Sequence, residues 1–218
     1  MIPARVIEDA QEATSRLLVD EKWWVGRDFQ LIVGTRMLIF DRGLNKLADA
    51  ELLALDPTHR ELRVTSLPRG VSEVIIVGAG FIPRNVVIRN NVFHDHRARG
   101  ILIGATNALV TRNKIERVTM AAILIPSDDL YWYEGPGAQN VTISDNYIAE
   151  VNRHPDIPNY PSAISAGALT DPAYRGEIGF PIQHIAVRRN TLRDIYSNAE
   201  VPVFFGKGVR DTATAETR

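Results

Sequence analysis

The sequence predicts an all-β protein that contains a parallel β-helix, preceded near the N-terminus by a small antiparallel β-barrel or sandwich. Three observations lead to this prediction. One asparagine-centred segment recurs four times in a single register, a second apolar element follows each copy, and the region before the copies has short strand patterns separated by turn residues. Repetition of this kind is typical of a solenoid, in which each unit packs on its neighbours.

The first repeating element is a strand pattern built around an asparagine, with two apolar positions before it and a large apolar residue two places after it. Its four copies occupy residues 85–93, 107–115, 140–148 and 184–192. The equivalent asparagines are Asn91, Asn113, Asn146 and Asn190. Their separations are 22, 33 and 44 residues, which indicates a unit of about 22 residues with loops inserted in the later copies.

The second element is a short apolar strand that follows about ten residues after the asparagine. Gly100–Ile103 and Ala122–Ile125 are regular copies, and Ser162–Ser165 and Val201–Phe205 are less regular ones. Two strands joined by a polar turn, with no helix between them, indicate one turn of a parallel β-helix. Stacking would then bring the asparagines into a hydrogen-bonded ladder. The alternative is that they only mark surface turns.

The whole chain divides into regions that differ in their pattern of apolar and turn residues. Residues 1–27 are predicted to form a helix or an incomplete turn of the solenoid, and residues 28–80 a small antiparallel barrel-like domain. The β-helix is expected over residues 81–210, and residues 211–218 are expected to fray. Within the barrel-like region the strand candidates are Gly34–Phe40, Ala50–Leu55, Glu61–Thr65 and Glu73–Val77, separated by turn residues.

Composition excludes several classes of function. The 218 residues include 25 basic and 26 acidic side chains. The chain therefore has no net positive charge that would attract nucleic acid or an anionic membrane. No apolar run approaches the roughly 20 residues needed to cross a bilayer. Cysteine is absent, which excludes disulfides, thiolate metal sites and a thiol nucleophile. The first ten residues lack the pattern of a signal peptide.

The segment 127–135 carries the densest group of chemically capable side chains, and it explains the 33-residue spacing. Three carboxylates lie there beside aromatic rings that could pack on sugar faces, which indicates a carbohydrate cleft on the outer wall of the β-helix. The candidate catalytic residues are Asp128, Asp129 and Glu134, and the candidate aromatic contacts are Trp132 and Tyr133.

A second polar group, His94–Gly100, precedes the matching strand of the previous unit. Stacking is expected to bring His96, Arg97 and Arg99 close to the acidic segment, where they are candidate substrate contacts. The arginines there would bind sugar hydroxyls or hold the aspartates ionised. The alternative for the arginines is a salt-bridged turn. His94 and His96 are two residues apart, but no third ligand has a suitable spacing, so no metal site is predicted.

These residues resemble a known family. The runs 86–102, 122–125, 128–134 and 141–146 are similar to the C-terminal half of glycoside hydrolase family 110, over roughly residues 30–200. The most specific portions are Arg97–Leu102 and the segment 128–134. The resemblance implies a right-handed parallel β-helix with an inserted barrel, and bacterial α-1,3-galactosidase activity that inverts the anomeric centre without a metal or other cofactor.

The resemblance also implies a terminal α-galactoside or related glycan as the partner, and a secreted or periplasmic location. Asp128 matches the acidic position of the family, and Asp129 and Glu134 are the other candidates for acid and base. Family members have a long stretch of β-helix before the barrel, whereas this sequence reaches its barrel-like region almost at once. That departure indicates a fragment, a truncated product or a minimal relative.

Two further interpretations of the sequence stay open. One is a β-helix module that binds polysaccharide, or serves as a structural domain, without catalysis. The other is a pectate-lyase-like enzyme, which would need a calcium-binding acidic cluster and a basic residue on one face. Asp128 and Asp129 alone give that second interpretation little support.

Overall fold

A computed structural model describes residues 1–8, 14–21, 31–65, 67–128, 135–153, 162–170, 173–179, 181–196 and 201–217. They form two compact units. The first contains Met1–Ile82 and the segment Thr170–Gly179, and the second contains Pro83–Asp128 and the described residues from 135 onward outside that segment. Strands dominate both units, which confirms the all-β class. Among the described residues, no helix has the length and apolar character that a bilayer-spanning helix needs.

The first unit is a closed antiparallel barrel of six strands in the order β1-β2-β5-β4-β3-β6. The strands are β1 (Ile2–Glu8), β2 (Thr14–Val19), β3 (Arg36–Phe40), β4 (Lys46–Asp56), β5 (Glu61–Thr65) and β6 (Glu73–Gly78). The 3-10 turn Ala79–Phe81 follows β6. Alternate residues along the strands face the interior, where Leu17, Leu62 and Val64 are completely buried.

The barrel begins earlier than the sequence indicated. Residues 1–27 were expected to form a helix or an incomplete turn of the solenoid, but β1 and β2 are barrel strands. β1 pairs with both β2 and β6, so it closes the barrel. The tertiary reason is that closure leaves neither of these strands as an exposed edge. The four strand candidates between residues 34 and 77 correspond to β3–β6.

The second unit contains three parallel sheets. The first sheet consists of β7 (Arg84–Arg89), β10 (Thr106–Thr111), β13 (Gln139–Ser144), β16 (Ile182–Arg188) and β19 (Val209–Ala215). The second consists of β8 (Val92–His96), β11 (Lys114–Val118), β14 (Tyr147–Ala149) and β17 (Thr191–Arg193). The third consists of β9 (Ile101–Leu102), β12 (Ile123–Asp128), β15 (Ile164–Leu169) and β18 (Val203–Phe205).

Each of the first four repeats contributes one strand to each sheet, and neighbouring repeats keep one register. In the first sheet Ile88 pairs with Val110, Val110 with Ile143, and Ile143 with Val187. One hydrophobic cluster contains side chains from all three sheets. Each fully buried valine or isoleucine in it contributes about 1.5–3 kcal/mol, so the aligned apolar columns supply much of the stability of this unit.

The asparagine ladder predicted from the sequence is present. The backbone N–H of Asn113 donates to Oδ1 of Asn146 at 2.9 Å, and its Nδ2 donates to the same oxygen at 3.0 Å. Asn146 makes the same pair of bonds to Asn190, and Asn91 to Asn113. Nδ2 of Asn146 also donates to the carbonyl of Val110, so the amide satisfies a buried backbone group at the bend.

Two details differ from the expectation. The repeat has three strands rather than two, because the residue before each ladder asparagine has a left-handed backbone and ends the strand; φ is 58° at Asn90 and 54° at Arg112. In addition, residues 211–215 lie in β19, which pairs in parallel with β16, where fraying was expected. Pairing with β16 orders this polar, alanine-rich segment.

We expect Asn146→Ala to lower the free energy of unfolding by about 2–5 kcal/mol, because it removes the side-chain partners of the buried Asn113 N–H and of the Val110 carbonyl, and one of the two hydrogen bonds to Oδ1 of Asn190. The measurement is the urea unfolding midpoint followed by circular dichroism. Asn140→Gly is the matched control. It removes an exposed amide hydrogen bond but tolerates the left-handed φ of 56°, so its midpoint should change little. Equal effects of the two substitutions would contradict a buried ladder.

Candidate functional site

Asp128 is the last residue of β12, and the residue is only 2% exposed. Ile123 and Ile125 face the core of the three sheets, whereas Leu124 belongs to a separate small cluster with Ala121 and Leu169. Because strand residues alternate between faces, Asp128 shares the side of Leu124. It therefore points away from the core, as the sequence indicated, but it is covered there, where an open cleft was expected.

The other members of the acidic and aromatic segment lie outside the described residues. These are Asp129, Trp132, Tyr133 and Glu134. Their roles stay predictions.

Ser127 is a buried polar residue that the sequence interpretation missed. Its side chain is completely buried on the core side of β12, directly before Asp128. In the part of the chain that the structure describes, its hydroxyl has no hydrogen-bond partner. Buried hydroxyls usually have partners, so this position at the end of β12 is energetically unusual. The only signal in the sequence was its strand parity with Ile123 and Ile125.

The arginine bend, residues 97–100, connects β8 to β9 and is held by backbone hydrogen bonds to the next repeat. The N–H groups of Thr119 and Met120 donate to the carbonyls of His96 and Ala98, at 3.0 and 3.4 Å. The N–H of Gly100 donates to the carbonyl of Ala121 at 3.1 Å. A Cβ on Gly100 would lie 2.7 Å from the Ala122 carbonyl oxygen, so the close packing requires glycine here.

The register separates this bend from Asp128. Gly100 bonds to Ala121, and Ile101 pairs with Ile123, so Asp128 lies five residues beyond the paired position. At about 3.3 Å per residue this is roughly 16 Å along the strand. The expected convergence of the bend with Asp128 is therefore not observed. The reason is that a 22-residue repeat stacks Arg97 and Arg99 over residues 119 and 121, at the opposite end of β12.

His94 and His96 are both exposed, and each has a local partner. Nδ1 of His94 lies 2.7 Å from Oδ2 of Asp95, and Nδ1 of His96 accepts a hydrogen bond from the N–H of Ala98 at 3.3 Å. No group of three or more histidine, aspartate or glutamate side chains suited to a metal ion occurs within the described ranges.

Ion pairs between repeats shape the electrostatics of the second unit. Arg117 donates two hydrogen bonds to Asp95, at 2.7 and 2.9 Å, and Arg189 donates two to Asp145, at 2.7 and 3.0 Å. Hydrogen bonds from Arg117, and secondarily from His94, hold the pKa of Asp95 well below its usual range. The hydrogen bonds from Arg189 lower the pKa of Asp145 to about 2. Both pairs join equivalent positions of neighbouring repeats. Their partners are 22 and 44 residues apart, as are the ladder asparagines of the same repeats.

A cleft of about 460 Å³ lies on the barrel and involves none of the predicted site residues. Its polar lining includes Arg5, Arg42, Arg60 and Glu73. Arg60 also pairs with Glu21 at 3.5 Å, so the cleft wall carries opposite charges.

No protein-family model matches the sequence. The chain is 28% identical to alpha-1,3-galactosidase B of Bacteroides thetaiotaomicron over 151 residues, which are 66% of this chain and 22% of that protein. It is 36% identical to alpha-1,3-galactosidase A of Streptomyces avermitilis over 63 residues, 28% of this chain and 10% of that protein. The matches thus span about a fifth or less of these relatives, and they support a distant relationship to glycoside hydrolases.

We expect the Asp95 and Asp145 ion pairs to stabilise the second unit in a pH-dependent way. Their pKa values are lowered on folding, so the contribution is present above about pH 4 and is lost as the pH falls towards 2. The double variant Asp95→Asn/Asp145→Asn should therefore show a shallower loss of thermal midpoint between pH 4 and pH 2 than the unmodified chain. Asp194→Asn, also at an exposed left-handed position, is the control. Identical pH profiles for all three proteins would contradict the assignment.

Proposed function

We propose that this chain is a carbohydrate-active protein, an α-galactosidase-like glycoside hydrolase or a truncated relative of one, built on a right-handed parallel β-helix. The observation that carries the proposal is the similarity to an alpha-1,3-galactosidase over 66% of the chain. The arrangement of the sheets supports the β-helix, since successive strands enter three parallel sheets in cyclic order around one hydrophobic cluster. Crossover connections between parallel strands are almost always right-handed, which favours that hand.

The proposed catalytic groups are Asp128, Asp129 and Glu134. An inverting glycosidase needs one carboxylic acid to protonate the leaving oxygen and one carboxylate to activate water, with about 6.5–9.5 Å between them. Because successive strand residues face opposite sides, adjacent aspartates on one continuous strand would not face the same substrate. We therefore propose Asp129 or Glu134, which follow the last residue of β12, as the second group.

The proposed substrate contacts are His96, Arg97, Arg99, Trp132 and Tyr133, and the proposed ligand is a terminal α-galactoside or related glycan. Aromatic faces and guanidinium groups suit sugar rings and hydroxyls. Since the arginine bend lies at the other end of the third sheet from Asp128, its arginines would contact a distal part of the glycan. An extended oligosaccharide fits this separation better than a monosaccharide.

A non-catalytic glycan-binding or structural module is the second candidate. The observation that favours it is the burial of Asp128, since a carboxylate that is 2% exposed must become accessible before it can reach a substrate. This candidate binds polysaccharide without releasing sugar.

Asp128→Asn should reduce the release of galactose from an α-1,3-linked galactoside by about 10²–10⁴-fold, the usual contribution of a general acid or base. Galactose is measured over a long incubation, and circular dichroism with a thermal midpoint verifies that the variant folds. Asp145→Asn removes an exposed carboxylate of the second unit and should retain activity.

Galactose release at an unchanged rate by Asp128→Asn would overturn the catalytic role of Asp128. Absence of sugar release from the unmodified chain, combined with glycan binding, would establish the module instead of the hydrolase.

Trp132→Ala should weaken glycan binding about 2- to 13-fold, because an aromatic stacking contact contributes about 0.5–1.5 kcal/mol. Affinity electrophoresis in gels containing an α-galactosyl polysaccharide measures the change. Tyr147→Ala, which removes an exposed aromatic ring from the second sheet, is the control and should migrate like the unmodified chain. Equal retardation of both variants would contradict a binding role for Trp132.

A further inference from the structure

One segment of the first unit comes from between two strands of the second. Residues 173–179 follow β15 and precede β16, in the stretch where the spacing of the ladder asparagines reaches 44 residues. They nevertheless pack as part of the first unit. We call residues 173–179 the strap. Packing on the barrel therefore accounts for an insertion that the repeat itself does not need.

The strap packs on the turn between β3 and β4, residues 41–45, which is fixed by its own aspartate. Oδ1 of Asp41 accepts hydrogen bonds from the N–H groups of Gly43 and Asn45, at 2.8 and 2.9 Å. Leu44 between them has a left-handed backbone, with a φ of 63°, and is only 2% exposed. The Asp41 carboxylate thus holds the backbone groups of this turn in one arrangement.

Two hydrogen bonds join the strap to this turn. The N–H of Gly179 donates to the carbonyl of Gly43 at 2.7 Å. Nδ2 of Asn45 donates to the carbonyl of Glu177 at 2.8 Å. Both bonds use backbone groups of the strap, so they depend on the path of its chain and not on its side chains.

Glycines allow the two segments to approach closely. A Cβ on Gly43 would collide with the carbonyl oxygen of Glu177, and a Cβ on Gly179 would lie 2.5 Å from the carbonyl oxygen of Leu44. Neither glycine has a left-handed backbone, so the lack of space requires glycine at both positions. The docked strap is therefore a specific arrangement that a single methyl group would disturb.

A short piece of chain joins the strap to the candidate catalytic residue. Leu169 is the last residue of β15, and it pairs with Asp128, the last residue of β12. Only residues 170–172 lie between Leu169 and the strap. Local opening of a folded protein begins at weakly held segments such as loops and strand ends. Anchoring the chain so close to Leu169 therefore restrains its pairing with Asp128.

We propose that the strap is a positioning device for Asp128. In this proposal Gly43 and Gly179 are positioning residues that act on the reaction through β15, without contact to the substrate. The inference rests on the proposed hydrolase function. A displacement of about 1 Å at a reacting group costs about 10²-fold in rate, so restraint of this strand end matters for catalysis.

Hydrogen exchange followed by mass spectrometry tests the restraint independently of activity. Gly179→Ala should release the strap and raise the exchange rate at the ends of β12 and β15 by about tenfold or more, while the start of β12 stays protected. Gly80→Ala is the matched control, because its Cβ would meet no atom within 4 Å. Asn45→Ala removes one hydrogen bond to the strap without a clash, so it should give a smaller change in the same direction and serves if Gly179→Ala fails to fold.

Galactose release tests the catalytic consequence. Gly179→Ala should lower kcat about 10- to 100-fold with little change in KM, because the glycan contacts remain while Asp128 loses its restraint. Gly80→Ala should keep both constants.

The outcomes separate this inference from the proposed function. Unchanged exchange at the ends of β12 and β15 in a variant whose strap is released would overturn the restraint, and an unchanged kcat in that variant would overturn its role in catalysis. If the unmodified chain releases no sugar, the hydrolase proposal fails, and the exchange measurement alone decides whether the strap restrains Asp128.

Discussion

The stacking of buried asparagine amides is the interaction on which the second unit depends. Asn113, Asn146 and Asn190 are almost completely buried. Nδ2 of Asn113 and of Asn146 donates to the next amide and to a backbone carbonyl, and Nδ2 of Asn190 donates to two backbone carbonyls. A buried polar group without a partner costs about 1–3 kcal/mol, so a shift of one residue between repeats would break several bonds together. The ladder therefore specifies a register that hydrophobic packing alone would leave less constrained.

The bends of the repeats follow from the same constraint. Left-handed residues recur at equivalent positions, including Asn85, Asn107 and Asn140. Nδ2 of Asn107 donates to Oδ1 of Asn85, and Nδ2 of Asn140 donates to Oδ1 of Asn107. A left-handed backbone costs a residue other than glycine about 1–2 kcal/mol. Amide contacts at some bends, and arginine–carboxylate pairs such as Arg117–Asp95 at others, offset this cost. The bends are thus stabilised by contacts between repeats and would be unfavourable in a single one.

The candidate catalytic residue Asp128 lies at the end of a strand. From this repeat onward the spacing between the ladder asparagines grows beyond 22 residues, which indicates inserted segments. Solenoid proteins commonly carry function on such insertions, because the repeats themselves are restricted by their neighbours.

Periodicity in the sequence determined the ladder, the apolar columns and the strand candidates of the barrel, because stacked repeats must place the same residue types at the same positions. The ion pair between Asp95 and Arg117 follows the same periodicity, because the two residues occupy equivalent positions one repeat apart. Only the tertiary structure decided that residues 2–19 close the barrel, that Thr217 continues the ladder, and that the arginine bend and Asp128 lie at opposite ends of one sheet. These features depend on which distant segments pair and in what register, and local residue preferences carry no information about that choice.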